Sequence, residues 1–248
     1  MLEMLNSKIQ LAGYVRFMHS IPQRCLKFEL QKYPHGLGCD EAGSGPIAGP
    51  VAAAVVLIRN GEVSGVTDSK KLSPFKRESL CVEIMKFSVW GFGMCFLVDE
   101  LGIETARQHA IHAALSNFKH ALFCAVYPYF TRNPSPEVVL NVASSLYKDY
   151  CPILQIDGDR DIPGIDWKHE LIVKGDEKIY AIGAASIIAK TIRDKYMDDM
   201  DRAYPGYGFA KHKGYGTKEH IEKIKELGPC PIHRKTFAKV KEYVTEEG

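Results

Sequence analysis

Four acidic side chains, in three separated places, carry the chemistry this chain suggests. They are the adjacent Asp40 and Glu41 in GLGCDEAGSGP, Asp157 in PILQIDGD, and Asp194 in ASIIAKTIRDKY. The first two places end short apolar runs, where a chain should leave a sheet, and the third lies on an alanine-rich helical stretch. Carboxylates brought close together cannot all ionise in a bare site. Their convergence would therefore call for divalent cations between them, the donor set of a metal-dependent hydrolase. Each place also has a plainer reading. Asp40-Glu41 could be a solvated turn, although GLGC before it and PIAGPVAAAVV after it set it near a core. Asp194 shares a helix face with Ser186, Lys190 and Asp198, and the Lys190–Asp194 spacing makes an i,i+4 pair worth about 0.2–0.5 kcal/mol. Against a merely solvated stripe stands Gly183-Ala184-Ala185-Ser186, small enough to let the helix approach another backbone.

Other site chemistries fit less well. Gly43-Ser44-Gly45 lacks the following helix of a dinucleotide fingerprint and the Gly-Lys-Ser/Thr ending of a phosphate loop. What remains is a tight turn presenting backbone N–H groups to a close-lying ligand. Asp157, Asp159 and Asp161 alternate like the start of a calcium loop, without its helix pair or terminal glutamate. Cys230 and His233, with His212 and His220 upstream, offer one ligand pair where structural zinc sites usually show two.

The bulk properties are those of a globular domain. The chain has 248 residues, 46% hydrophobic and 25% charged, with a net charge of +2. A uniformly basic surface is excluded, but basic residues outnumber Glu219, Glu222 and Glu226 between positions 208 and 241, so a local basic face is expected. The seven cysteines show no paired spacing and several lie in apolar runs. They read as reduced thiols of an intracellular, cytoplasmic protein. No apolar run reaches the ~20 residues of a membrane span. Residues 1–35 are basic and interspersed with apolar side chains, which fits either a mitochondrial import segment or an N-terminal helix packed on the domain.

Around the acids, the periodicity predicts strands at 51–58, 89–98 and 153–156, with the chain before Asp40 adding another. Helices are expected at 103–123, 136–147, 178–203, 217–227 and 236–245, with Thr217 as an N-cap. The order predicts an α/β fold, a mixed sheet with helices packed on it and a helical C-terminal lobe. The divisions are an N-terminal extension (1–35), a core (36–205) and a lobe of the same domain (206–248).

GLGCDEAGSGPIAGPVAAAVVL, TDSKKLSPFKRE, the run from QIDGD through LIVKGDEKIYAIGAASIIAKTIRDKYM, and YPGYGFAKHKGYGTKEHIEKIKELGPCPIHRKTF resemble, in order, the motifs of the ribonuclease HII family. The resemblance covers about residues 36–240 and is poor over 119–150. It implies a ribonuclease H-like fold and endonucleolytic cleavage of RNA in RNA–DNA hybrids and at ribonucleotides embedded in duplex DNA. The products implied are a 3′-hydroxyl and a 5′-phosphate. The catalytic and metal-binding residues implied are Asp40, Glu41, Asp157 and Asp194, holding two Mg2+ or Mn2+ ions. Tyr215 would stack beside the ribonucleotide, and Gly43 and Gly45 would sense its 2′-hydroxyl. One departure stands out, since Ser44 occupies the place of an arginine in the family's Gly-Arg-Gly loop and lacks its bidentate phosphate contact. Substrate grip is expected from Ser69, Lys70, Lys71, Lys174, Lys211, His212, Lys213 and Arg234. A monomer with no membrane partner is expected. The rival reading is a non-catalytic subunit binding the same hybrids.

Overall fold

The computed structural model describes residues 36–58, 63–126 and 153–244. The expectations for residues 1–35 and for a helix at 136–147 fall outside them.

Among the described residues, five strands form one mixed sheet. They are β1 (Leu37–Ala42), β2 (Val51–Ile58), β3 (Ser88–Cys95), β4 (Leu154–Asp157) and β5 (His169–Ile172). The spatial order is β3-β2-β1-β4-β5. The short Gly43–Pro50 connection makes β1 and β2 antiparallel, as are β2 and β3. Across the other half, β1 pairs with β4 and β4 with β5 in parallel. Parallel neighbours need a crossover, and between β1 and β4 it includes β2, β3 and two helices, α1 (Pro74–Lys86) and α2 (Ile103–Val126).

Both faces of the sheet are covered, so β2 is buried along its whole length. Its odd-numbered residues Val51, Ala53, Val55 and Leu57 pack with Ala110, Ala114 and Phe118 of α2. Its even-numbered residues Ala52, Ala54, Val56 and Ile58 pack with α1 and with Ala184, Ile188 and Ile192 of α3 (Tyr180–Ala203). Each fully buried Val, Leu or Ile contributes about 1.5–3 kcal/mol. That two-sided burial explains why β2 reads as a continuous apolar run rather than an alternating one.

The strand expected at 89–98 stops at Cys95, because Val98 already opens a helical turn, Val98–Leu101. Helix α1 and strand β5 were not expected. The start of α1 is signalled by Ser73, whose side chain accepts from the Lys76 amide, and by Pro74 at its first position. At its far end α3 enters a third cluster, where Tyr196, Met197 and Met200 meet Tyr207, Phe209, Ile224 and Val240. The C-terminal segment, with α4 (Lys218–Leu227) capped by Thr217, thus shares a core with α3. Among the described residues no helix is long and apolar enough to cross a membrane.

The small residues of α3 do what their size suggests. A Cβ on Gly38 of β1 would come within 2.2 Å of the Ala181 carbonyl carbon, so helix and strand touch backbone to backbone. Gly38→Ala is expected to cost about 1–3 kcal/mol of stability. Urea unfolding checks this, and an unshifted midpoint would show that α3 can retreat freely.

Candidate active site

Parallel pairing assembles the first part of the site. Leu37, Gly38 and Cys39 of β1 lie beside Leu154, Gln155 and Ile156 of β4. One residue further along the same register sit Asp40 and Asp157, at the edge where β4 ends. Alternation along β1 then sends neighbouring side chains to opposite faces. Asp40 turns to α3 and receives a hydrogen bond from the Ser186 hydroxyl. Glu41 turns to α2, where Arg107 Nη1 lies 3.6 Å from its Oε2.

The acids strain against one another electrostatically. Asp40 is buried, and burial raises its pKa well above the usual carboxylate range, with Glu41 and Asp157 pushing the same way. The Ser186 hydroxyl and the Glu41 amide, 2.7 Å from Oδ1, only partly offset this. Burial also raises Glu41, against the pull of Arg107. Its Oε2 is buried without a hydrogen-bond partner among the described residues. Asp157 is raised by burial and by Asp176, while the amides of Gly175 and Asp176 hold it down. The Gly175 amide sits 2.6 Å from its Oδ1.

Asp176 is the acid that sequence reasoning missed. It is buried in the helical turn Gly175–Lys178 that follows β5, with Lys70 Nζ 3.6 Å away. The signal was available: Asp176 sits shortly after a strand, as Asp157 sits at the end of one, whereas Asp40 lies within β1, two residues before its end. Recognising it required seeing the short β5, whose four residues His169–Ile172 carry no clear alternation.

Asp194 does not join this group. Its Oδ2 accepts from Arg77 Nη2 at 2.8 Å and its Oδ1 from Lys190 Nζ at 2.7 Å, so two cations already neutralise it. Ser186, the partner of Asp40, lies two helical turns earlier, roughly 12 Å along the axis. The helix face is not a solvated stripe either, because Ser186 and Asp194 are both buried. Asp194 instead ties together two neighbouring elements, through Arg77 and Lys190. Arg77 also donates to the Ser69 carbonyl at 3.0 Å, and Lys190 Nζ stands 5.4 Å from the centre of the Tyr215 ring.

The expected substrate contacts divide into a rim and an interior. At the rim, Lys70 is 75% and Tyr215 43% exposed, and Lys174 is exposed with left-handed backbone. Gly43 takes φ +99°, and a Cβ on Gly45 would sit 3.8 Å from the Tyr215 ring, so loop and tyrosine are adjacent. Ser44 Oγ is buried with no hydrogen-bond partner among the described residues. Lys213, also left-handed, pairs with Asp198, while Lys71 and Lys211 pair with Glu177 and Glu219. Ser69, His212 and Arg234 are buried, which corrects their expected surface role. Ser69 Oγ lies 2.9 Å from Ser186 Oγ, one step behind Asp40.

Neither alternative metal reading matches the geometry. His233 Nε2 and His220 Nε2 are 3.0 Å apart, His220 Nδ1 is 2.9 Å from the Tyr215 carbonyl, and the Cys230 amide donates to His233 Nδ1. These rings are joined to one another by hydrogen bonds rather than arranged around an ion. Asp161 is engaged with His169 at 3.2 Å, and Asp157 leaves a strand rather than a helix. Among the described residues no three His, Cys, Asp or Glu side chains stand in ready-made metal coordination. The acids at the sheet edge are a charge cluster that a cation would have to draw together.

Comparison with known proteins supplies the family. The ribonuclease HII profile matches residues 37–240. A ribonuclease HII of Geotalea uraniireducens is 44% identical over 221 residues, covering 88% of this chain and 88% of the relative. One from Caldicellulosiruptor bescii is 42% identical over 207 residues, covering 82% and 85%. In fold, the chain is similar to the ribonuclease H2 of Pyrococcus horikoshii, with TM-score 0.53 and 24% identity over 84% of this chain and 95% of that one. The organelle-import reading of residues 1–35 gains no support from these relatives.

The raised acids have a pH signature. A carboxylate whose folded pKa is raised costs the fold nothing below its unfolded value, near 3.8 for Asp40, and its full penalty above its folded value. Asp40→Asn removes that penalty. Without divalent cations, the variant's melting temperature minus the wild-type value should therefore grow as pH rises from about 4 to neutrality. A flat difference in thermal scans would show that Asp40 is not under this stress.

Proposed function

The chain belongs to the ribonuclease HII family, and on that footing we propose that Asp40, Glu41, Asp157 and Asp176 hold its divalent cations. It is a metal-dependent endonuclease that hydrolyses RNA in RNA–DNA hybrids, which sets aside the non-catalytic alternative. The observation that carries the assignment is the meeting of Asp40 with Asp157 along the parallel register and of Asp157 with the Asp176 turn. The cluster fits the cations expected. Its donors are all oxygen, the preference of magnesium and manganese, and burial together with mutual repulsion leaves it short of positive charge. The orphaned Glu41 Oε2 supplies an unused acceptor.

Two bound cations would neutralise the phosphodiester and lower the pKa of an attacking water. The chain's own groups prepare that site. Ser186 orients Asp40, the Gly175 and Asp176 amides orient Asp157, and Arg107 limits the swing of Glu41. Hydrolysis breaks the bond from phosphorus to the 3′-oxygen, leaving a 3′-hydroxyl and a 5′-phosphate. The loop 43–45 meets the 2′-hydroxyl of the ribonucleotide, Tyr215 stacks beside it, and Lys70 and Lys174 contact phosphates and set register. Embedded ribonucleotides in duplex DNA are substrates on this reading, and the protein acts as a monomer.

Magnesium titration separates the two candidates for the fourth acid. Asp176→Asn should raise the half-saturating magnesium concentration for hybrid cleavage by about 10–100-fold or more. Asp194→Asn should leave that concentration near the wild-type value while costing about 3–5 kcal/mol of stability, because Arg77 and Lys190 lose their buried partner. The reverse pattern would return Asp194 to the metal site. A second assay addresses Ser44. Ser44→Arg should lower the Michaelis constant for a duplex with one ribonucleotide, and steady-state kinetics unchanged from wild type would refute a phosphate role at this position.

A further inference from the structure

Two arginines lie beneath the Gly43-Ser44-Gly45 loop with almost no access to solvent, Arg193 at 0% and Arg234 at 2% exposure. Among the described residues neither forms an ion pair with a carboxylate; both spend their N–H groups on backbone carbonyls. Arg234 donates to Gly43 at 2.6 Å, Ser44 at 3.3 Å, Pro46 at 2.6 Å and Gly49 at 2.8 Å. Arg193 donates to Pro50 at 3.0 Å, Ala48 at 3.2 Å and Lys213 at 3.0 Å. Burying a cation costs several kcal/mol even after relaxation. A chain that does so twice under one loop is holding that loop firmly.

The peptide plane shows what is gained. In a trans peptide the C=O and the following N–H point in opposite directions. Drawing the Gly43 carbonyl inward onto Arg234 turns the Ser44 N–H outward, and drawing the Ser44 carbonyl inward does the same for Gly45. Neither amide has an acceptor among the described residues. Both therefore face the side where Tyr215 borders Gly45. Gly43 must be glycine for the same reason, since a Cβ there would come within 2.2 Å of Arg193 Nε.

We propose that Arg234, braced by Arg193, is a positioning residue for ribonucleotide selection: it locks two peptide planes with their N–H groups aimed at the substrate. Because the loop is held from below, its geometry does not depend on the side chain at 44, so a serine there keeps the donors in place. This inference rests on the reading above that the loop meets the 2′-hydroxyl.

The test compares kcat/KM on duplex DNA carrying one ribonucleotide with kcat/KM on a hybrid whose RNA strand is continuous. A continuous strand offers a 2′-hydroxyl at every register and tolerates a loose loop, whereas a single ribonucleotide does not. Arg234→Lys keeps the charge, but one ammonium cannot serve carbonyls spread from Gly43 to Gly49. The expected result is a fall of about tenfold in the ratio of embedded to continuous cleavage, one hydrogen bond's worth, with magnesium dependence unchanged. A merely structural role would lower both activities together, and an unchanged ratio in a folded variant overturns the proposal. Gly45→Ala, which adds a methyl on the outer face, tests the loop reading itself. If it too leaves the ratio unchanged, that reading has failed; if it alone lowers the ratio, only the role of the arginines has. Should Arg234→Lys not fold, NMR amide exchange in Asp40→Asn protein decides. Ser44 and Gly45 should exchange fast in the free protein and slowly with an uncleaved duplex containing one ribonucleotide. Slow exchange without the duplex, or no slowing with it, overturns the proposal.

Discussion

The repulsion between Asp40 and Asp157 is the constraint around which the structure is organised. Two central strands running in parallel, in a register whose last pair is Cys39 with Ile156, bring the acids that follow, Asp40 and Asp157, together as buried negative charge. The fold does not relieve that charge internally. It orients the acids through Ser186, the Gly175 amide and Arg107, and leaves them raised above their ordinary pKa by burial and proximity. On the proposed reading, the stability forgone would be recovered on binding a divalent cation, which would tie metal binding to folding free energy.

Helix α3 is the member through which everything else is referenced. Near its start it touches β1 at Gly38, at Ser186 it reaches Asp40, and at Lys190 and Asp194 it organises Tyr215 and the Ser69 segment. At Arg193 it supports the glycine loop, and its last turns join the C-terminal cluster. The buried acids, the glycine loop and Tyr215 are thus all referenced to one helix, where errors in mutual placement are small.

Much of this was readable from residue types, and the exceptions have physical causes. Asp40, Glu41 and Asp157 were identifiable because each interrupts or ends an apolar run, and the α3 stretch by its small-residue segment. The chain spacing of Asp194 fits a ligand on a helix face as well as it fits an ion pair; the pairing with Arg77, which approaches from α1 in space, is what the sequence could not display. Asp176 was hidden by β5, an outer strand too short to announce itself. Ser69, His212 and Arg234 lie in motifs that read as surface grip, yet each is buried, because such a side chain can be kept inside to satisfy other polar groups: backbone carbonyls for His212 and Arg234, the Ser186 hydroxyl for Ser69. Backbone acceptors leave no trace in a sequence.

The path from Asp40 to Asp157 has a consequence for how such a chain can vary. Register pins both acids to one edge, and the crossover between them runs through β2, α1, β3 and α2 before returning at Leu154. The price of closing a longer loop grows only logarithmically. Residues added between the end of α2 and the start of β4 therefore change neither the aim of the acids nor the loop that faces them. On closure entropy alone, length in that stretch can change at little cost while the acids keep their places.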